Sequence, residues 1–286
     1  MLDPLGTHRM EKKQQLVVKD NVLINAAYRL DLTEQRLILM STVRAREEGE
    51  GITADKPLKV LAEDYATQFK VTRQAAYMAL KEAITGLFER QFTYEQLTKR
   101  GNVEVVKSRW VSQVSYIEQE GAVSIVFSPA VVPLITRLEK QFTRYDLEQV
   151  SSLTSTYAVR LYELLIAWRS VGKTPKIALD DFRQKLGVGK NEYIRMHHFK
   201  SKVLDASIKQ INEHTDITAE YEQHKKGRKI VGFSFNFKFK NVAKTLPKKP
   251  KRKPITKAEA EKMANPGESW YDLLNRLKTN YTITDL

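Results

Sequence analysis

Between residues 190 and 240 the spacing of apolar side chains changes from helical to alternating. Phe199, Val203, Leu204, Ala206, Ile208 and Ile211 share one broad arc of a helix running from Phe199 to His214. Ser201, Lys202, Asp205, Lys209, Asn212 and Glu213 fill the opposite arc. A strand follows, then the turn Lys225-Lys226-Gly227-Arg228-Lys229. From Gly232 to Lys240 phenylalanine recurs at 233, 235, 237 and 239, the two-residue period of a strand. The pattern predicts a core-anchored helix followed by a hairpin with a basic tip.

A similar layout reads earlier in the chain. Thr33 is placed as the N-cap of a buried helix, Glu34 to Glu48, with Leu32 and Leu37 as a hydrophobic staple. Pro57 to Phe69 has Leu58, Leu61, Tyr65 and Phe69 at helical spacing and predicts a second helix. Thr72 caps a third, through about Phe88, with Ala76, Leu80, Ala83, Ile84 and Leu87 as its core stripe. Residues 91–128 predict strands around the turn Thr98–Asn102. The segment Phe142 to Ser152 reads as a join. An amphipathic helix then carries Tyr157, Leu161, Leu164, Leu165 and Trp168 on one face, and Asp180 caps a short helix ending near Gly187.

The two layouts share local patterns in the same order. Asp64 to Val71 matches Asp181 to Val188, and Ala79 to Ile84 matches Val203 to Ile208 with seven extra residues in the later copy. The expected fold class is α+β: two tandem winged-helix domains related by duplication, then a basic C-terminal tail. The boundaries are 1–15 for a loose N-terminus, 16–145 and 146–242 for the two domains, and 243–286 for linker and tail. Lys244 to Lys253 predicts a solvated linker. Thr256 to Ala264 and Gly267 to Lys278 predict short helices.

Composition narrows the partner. The 286-residue chain has a net charge of +14, which favours a polyanion. Residues 1–145 contribute +3, residues 146–240 +6 and residues 241–286 +5, so the second half holds most of the excess. With no cysteine, disulfides, thiol nucleophiles and cysteine metal sites are excluded. No apolar run of about 18 residues is present to span a membrane, and residues 1–19 lack an apolar signal core. A cytoplasmic protein with no membrane partner is expected.

The polar arc of the Phe199 helix offers the hydroxyl, ammonium and carboxylate groups that read base edges in a major groove. Arg195, Lys200, Ser201, Lys202, Asp205 and Lys209 are the candidate readers, with Lys200 better placed for a phosphate. An ordinary surface helix would show the same amphipathicity. Lys225, Lys226, Arg228 and Lys229 favour the DNA reading, because four cations at one turn repel each other and phosphates relieve that repulsion. In the first layout the candidates are Arg73, Gln74, Tyr77 and Lys81 on the helix, with Lys99, Arg100 and Arg109 on the strands and turn behind it. Glu82, Glu89, Glu95 and Glu104 offset much of that charge, so a structural or dimerising role stands equally open. The tail run Lys248–Lys253 suits either a loose DNA contact or a plain linker.

Catalytic signals are sparse. No phosphate loop of the Gly-x4-Gly-Lys-Ser/Thr kind is present. His197 and His198 are adjacent, whereas a nicking enzyme separates two metal-binding histidines by one apolar residue. Asp180-Asp181 is better explained by helix capping than by metal. No catalytic residue, metal site or cofactor is expected.

The chain resembles the iteron-binding replication initiators of bacterial plasmids over roughly residues 17–240. The resemblance rests on Val17 to Asn25, Leu32 to Leu39, Ser155 to Leu165, Phe199 to Leu204, Ile211-Asn212 and Lys226 to Lys229. It implies two winged-helix domains, the second being the main reader of repeated origin sites through the Phe199 helix. It also implies a first domain that touches DNA and forms dimers, self-association between monomer and dimer, repression of the protein's own gene, and recruitment of host initiator and helicase without DNA cleavage. One position departs from the family pattern: His198 stands where an acidic residue often precedes the phenylalanine. Two other functions remain open from the residues: a winged-helix repressor with no replication role, and a metal-dependent nicking enzyme.

Overall fold

The computed structural model describes residues 15–136, 142–240, 253–256, 259, 260, 263 and 281–284. The chain forms two compact units, Met1–Lys240 and Asn241–Leu286. The first unit begins with β1 (Leu16–Asp20), α1 (Asn21–Asn25), β2 (Ala27–Tyr28), α2 (Leu32–Glu48), β3 (Leu58–Leu61), α3 (Ala62–Phe69) and α4 (Arg73–Glu89). Four strands follow, β4 (Gln91–Leu97), β5 (Val103–Arg109), β6 (Val111–Ile117) and β7 (Ala122–Phe127), then α5 (Val132–Thr136), β8 (Phe142–Asp146) and α6 (Glu148–Ser151). The remainder is α7 (Thr156–Ile166), β9 (Ile177–Ala178), α8 (Leu179–Lys185), α9 (Met196–Phe199), α10 (Ala206–His214), β10 (Ile217–Lys226) and β11 (Lys229–Phe239).

Three local expectations are corrected. Helix α2 is capped by Asp31, two residues before Thr33. The Asp31 carboxylate accepts from the Glu34 N–H at 2.8 Å and the Glu34 carboxylate accepts from the Asp31 N–H at 2.7 Å. That reciprocal box satisfies two orphan donors at once, which a threonine followed by Arg36 could not. The expected helix from Pro57 starts only at Ala62. Leu58 and Val60 are buried while Lys59 and Leu61 are exposed, and the four residues pair antiparallel with β7. Pairing with a buried strand overrides the helical spacing of Leu58 and Leu61. Asp180 is not a cap: α8 follows Ala178, and Asp180 and Asp181 lie in its first turn, where acidic side chains suit the helix dipole. The Thr72 cap is as expected, its side chain accepting from the Ala75 N–H at 3.2 Å.

The two halves of this unit repeat one topology. In the first, α2, β3, α3, α4, β6 and β7 follow in order, and the sheet runs β3-β7-β6. In the second, α7, β9, α8, α9–α10, β10 and β11 follow in order, and the sheet runs β9-β11-β10. The matched segments coincide with matched structure. Tyr65 and Phe182 are both buried, and α3 and α8 both end on a left-handed residue, Lys70 at φ 54° and Gly187 at φ 76°. The Val71 N–H donates to the Ala66 carbonyl at 3.1 Å and the Val188 N–H to the Arg183 carbonyl at 2.9 Å, the same closing bond twice. The extra residues of the later copy form the loop Gly189–Arg195.

The halves are joined by buried charge. Lys19 on β1 and Arg160 and Glu163 on α7 are at most 2% exposed. The Glu163 carboxylate accepts from Lys19 Nζ, Arg160 Nη1 and the Tyr145 hydroxyl, each at 2.7 Å. Arg160 also donates to the carbonyls of Ile24 and Ala26, at 2.9 and 3.2 Å. Burial raises the Glu163 carboxyl, but the two cations outweigh it and hold the group down at about 2. A buried carboxylate survives when paired and fully hydrogen-bonded in this way.

In the second unit, β12 (Lys253–Thr256) pairs in parallel with β13 (Tyr281–Thr284). Thr256 and Glu259 exchange hydrogen bonds in a further capping box, and residues 259 and 260 are helical, within the stretch read as a short helix. The N-terminal segment through residue 14, residues 244–252 of the basic run and the Gly267–Lys278 helix with Trp270 lie outside the described residues. No helix among the described residues is long and apolar enough to cross a membrane.

Candidate nucleic-acid interface

The core beneath the proposed reading helix is aromatic. Phe182, Phe199, Phe233 and Phe235 are at most 1% exposed, with ring centroids 5.4 to 6.2 Å apart from Phe182 to each of the other three. The alternating phenylalanines of β11 supply one wall, since residues two apart share a face of the strand. On that wall α9, a π-helical stretch Lys200–Asp205 and α10 run as one continuous helix. The wider π turn seats Val203 and Leu204 together in the core, both at 0% exposure, and leaves Lys202 and Asp205 outside. Turns of this kind recur at functional sites.

The exposed face sorts into fixed and free side chains. Asp205 accepts from the Tyr221 hydroxyl at 2.7 Å, and Lys200 Nζ donates to Gln223 Oε1 at 3.3 Å. Both are therefore held by β10. Ser201 turns its hydroxyl to the His198 carbonyl at 3.5 Å. Lys202 and Arg195 are exposed, with no ion-pair partner among the described residues. Lys209 is loosely paired with Glu213 at 4.0 Å and its side chain is 74% exposed. Asn212, read as part of the polar arc, is spent on the scaffold: its amide donates to the Ala219 carbonyl at 3.0 Å and accepts from the Ala219 N–H at 2.7 Å.

At the hairpin tip Lys225, Lys226, Arg228 and Lys229 are all exposed and form no ion pair among the described residues. Gly227 takes φ 61°, and a register shift between His224 and Lys225 twists the tip. Tyr221 and Gln223 join the candidate face only in the structure, through Asp205 and Lys200. The signal for Tyr221 is present in β10, where it continues the alternation of buried Ile217 and Ala219 and so faces the helix that carries Asp205.

The first half places its candidates differently. Arg73 and Gln74 are exposed in the first turn of α4. Tyr77 and Lys81 lie farther along, with the Tyr77 hydroxyl 3.4 Å and Lys81 Nζ 3.7 Å from the Glu118 carboxylate. Glu118 belongs to the tip joining β6 and β7, which by topology is the counterpart of the Lys225 hairpin, and that tip is acidic. The basic turn with Lys99 and Arg100 is instead the tip of β4–β5, in a separate sheet ordered β2-β4-β5. It is therefore not the equivalent of the Lys225 hairpin. Two hairpins follow α4 here, and sequence spacing alone could not say which one joins the sheet of β3. Arg109 is engaged by Glu89 at 2.9 Å. Leu97, Val103 and Val105 stand out on β4–β5 at 71%, 64% and 64% exposure.

Among the described residues no three histidines or carboxylates converge as metal ligands. The profile of the family described as Initiator Replication protein, WH1, matches residues 16–166, and that described as Initiator Rep protein, WH2, matches residues 178–237.

The chain belongs to the replication initiator protein family.

The initiator's two winged helices are thus those of a DNA-binding family. The chain is similar to the PI protein of Escherichia coli, 25% identical over 246 residues, which span 76% of this chain and 80% of that one. It is also similar to a replication initiation protein of Escherichia coli, 27% identical over 207 residues, spanning 71% of this chain and 63% of that one. Among solved structures it matches a Pi initiator protein in complex with iteron DNA, with TM-score 0.66 and 25% identity, over 80% of this chain and 99% of that one.

Proposed function

We propose that this initiator binds repeated duplex sites at a plasmid origin and opens an adjacent segment. One observation carries the reading: an aromatic-anchored helix with exposed Lys202 and Lys209 lies beside a hairpin whose four cations form no ion pair among the described residues. The likeness to an initiator solved with iteron DNA supports it. The continuous helix enters a major groove by its N-terminal half. Arg195, Ser201 and Lys202 reach base edges there, with Lys209 following. Asp205, steadied by Tyr221, accepts from an exocyclic amine of cytosine or adenine. Lys200 and the Lys225–Lys229 tip bind phosphates and set the register.

The first winged helix contributes less. Arg73 and Gln74 are free to touch DNA, whereas Glu118 opposes phosphates near Tyr77 and Lys81. Lys99 and Arg100 serve a backbone contact only if DNA bends to reach them, and Arg109 remains with Glu89. The β4–β5 hairpin, with β5 as a sheet edge and three exposed apolar side chains, suits a second copy of the chain. Host initiator and helicase complete the set of partners, and the site of action is the cytoplasm. Opening draws on binding energy and breaks no covalent bond.

The test uses supercoiled plasmid carrying direct repeats beside an AT-rich stretch. The protein renders thymines in that stretch permanganate-reactive, leaves the circle covalently closed and sustains the plasmid when supplied in trans. Binding without melting or maintenance would reduce the role to repression. Nicked circles formed with a divalent metal would assign strand cleavage instead.

A further inference from the structure

The loop Gly189–Arg195 leads into α9 and is held from several sides. The Glu192 carboxylate accepts from the Gly189 N–H at 2.9 Å and from Arg29 at 2.6 Å. Arg183 donates to the carbonyls of Glu192 and Tyr193, and its guanidinium lies 4.9 Å from the centre of the Phe199 ring. The Tyr193 ring meets Tyr157 edge-on, with centroids 6.1 Å apart. Fixed in this way, Tyr193 takes φ 46°, in the left-handed region that aromatic residues rarely enter. Such a backbone persists where its surroundings impose it, and it gathers at functional sites.

The consequence falls on Ile194. Tyr193 and Met196, on either side of it, pack against the core. Ile194 is instead 75% exposed, more than any other large apolar side chain among the described residues. Arg195 is the N-cap of α9, which puts Ile194 at N′ and Phe199 at N4. Residues at those two positions commonly pack as a hydrophobic staple. Here Arg183 covers the Phe199 ring, and the isoleucine is left to solvent. Single apolar side chains on a surface are ordinary. This one is set apart by the strained residue that presents it and by its place. The exposed residues that follow it are Arg195, His197, His198 and Lys202, at the end of the helix that enters the groove in the function proposed above.

We infer that Ile194 reads a thymine through its methyl group. The C5-methyl of thymine is the apolar group that base edges display in a major groove; the others are donors and acceptors, which isoleucine cannot serve. The inference rests on groove entry by this helix. It adds to the polar candidates a specificity residue that acts by shape and desolvation and carries no charge.

The experiment uses the full chain and a preferred duplex selected from random sequence. Each thymine of that duplex is replaced in turn by deoxyuridine, which pairs alike and lacks only the methyl. At one position the replacement is expected to weaken binding by the native protein about fourfold, the factor for one buried methyl-sized group. Ile194→Ala removes an exposed side chain, so the fold is expected to stand, with an unchanged melting temperature. It is expected to bind the thymine and deoxyuridine duplexes equally at that position. Ile194→Val, which keeps an apolar branched tip, is expected to retain the preference. If no deoxyuridine duplex binds more weakly, or if the loss is as large for Ile194→Ala as for the native protein, the inference is overturned while sequence-specific binding stands. If no preferred duplex can be selected, that binding itself fails, and the role of Ile194 fails with it.

Discussion

Glu163 has no solvent exposure, yet it carries a charge between Lys19 and Arg160. Glu163→Gln keeps the shape and removes that charge, leaving two buried cations uncompensated. The expected loss is about 3–5 kcal/mol at neutral pH, read from urea unfolding. The sign of the pH dependence follows from the lowered carboxyl. Stability due to Glu163 is fully present above its ordinary value of 4.5 and is lost as pH falls toward about 2. The gap between the native protein and Glu163→Gln therefore narrows over that window; a constant gap would contradict the pairing. Helical or strand period alone does not pair them, because Lys19 closes the apolar run Leu16–Val18 and Glu163, 144 residues later, interrupts an apolar helix. The exposed candidates are the opposite case. Lys202 and Lys209 were legible from helical phase alone, and both stand outside the core. Lys202→Ala is expected to cost about 1–3 kcal/mol in binding and to relax preference at one base position. Tyr221→Phe releases Asp205, and with the fold intact it changes base preference without altering the salt slope. A parallel loss on all duplexes would show Asp205 to be structural only.

At the scale of elements, periodicity succeeded where one core decides the pattern and failed where a partner strand does. Helix α4 and the Phe199–His214 helix follow their stripes, with Thr72 capping as expected. Strand β3 does not, because its four residues are claimed by β7. Which hairpin pairs with β3 was likewise out of reach, since β4–β5 and β6–β7 have similar alternation and only the sheet order separates them. Matching Val71 with Val188 did reveal equivalent helix ends. Gly187 shows why one of the two is glycine. Its φ is 76°, and a Cβ there would stand 2.6 Å from the Tyr28 carbonyl oxygen of the other half. Lys70 takes a similar backbone at φ 54° with its side chain exposed to solvent. Gly187→Ala should cost about 2 kcal/mol or more. Thermal unfolding checks this, and an unchanged melting temperature would mean that the two halves part easily at this point.

The molecule as a whole joins two copies of one topology through a buried ion cluster and the Gly189–Arg195 loop, whose Glu192 meets Arg29 of the other half. Such a joint favours one spacing between the halves over free reach. If both winged helices contact one repeat, they enter grooves about one helical turn, roughly 10 bp, apart. Inserting about half a turn, roughly 5 bp, in the middle of the repeat is then expected to reduce binding to half-site level. Indifference to the insertion would leave DNA reading to the second half alone and give the first to self-association, as its acidic β6–β7 tip and apolar β4–β5 hairpin suggest. The duplication itself was legible because core spacing repeats; the division of labour was not, because it rests on which surface charges are already paired.

The second winged helix is expected to recognise duplex DNA in a sequence-specific way. Selection from a pool of random duplexes, followed by affinity measurement at 150 mM salt, tests it most directly. One enriched motif is expected, bound at least about 10³-fold more tightly than unrelated duplex, with Lys202→Ala altering a single position of that motif. No enriched motif, or the same motif selected at equal affinity after Lys202→Ala and Lys209→Ala, would contradict it.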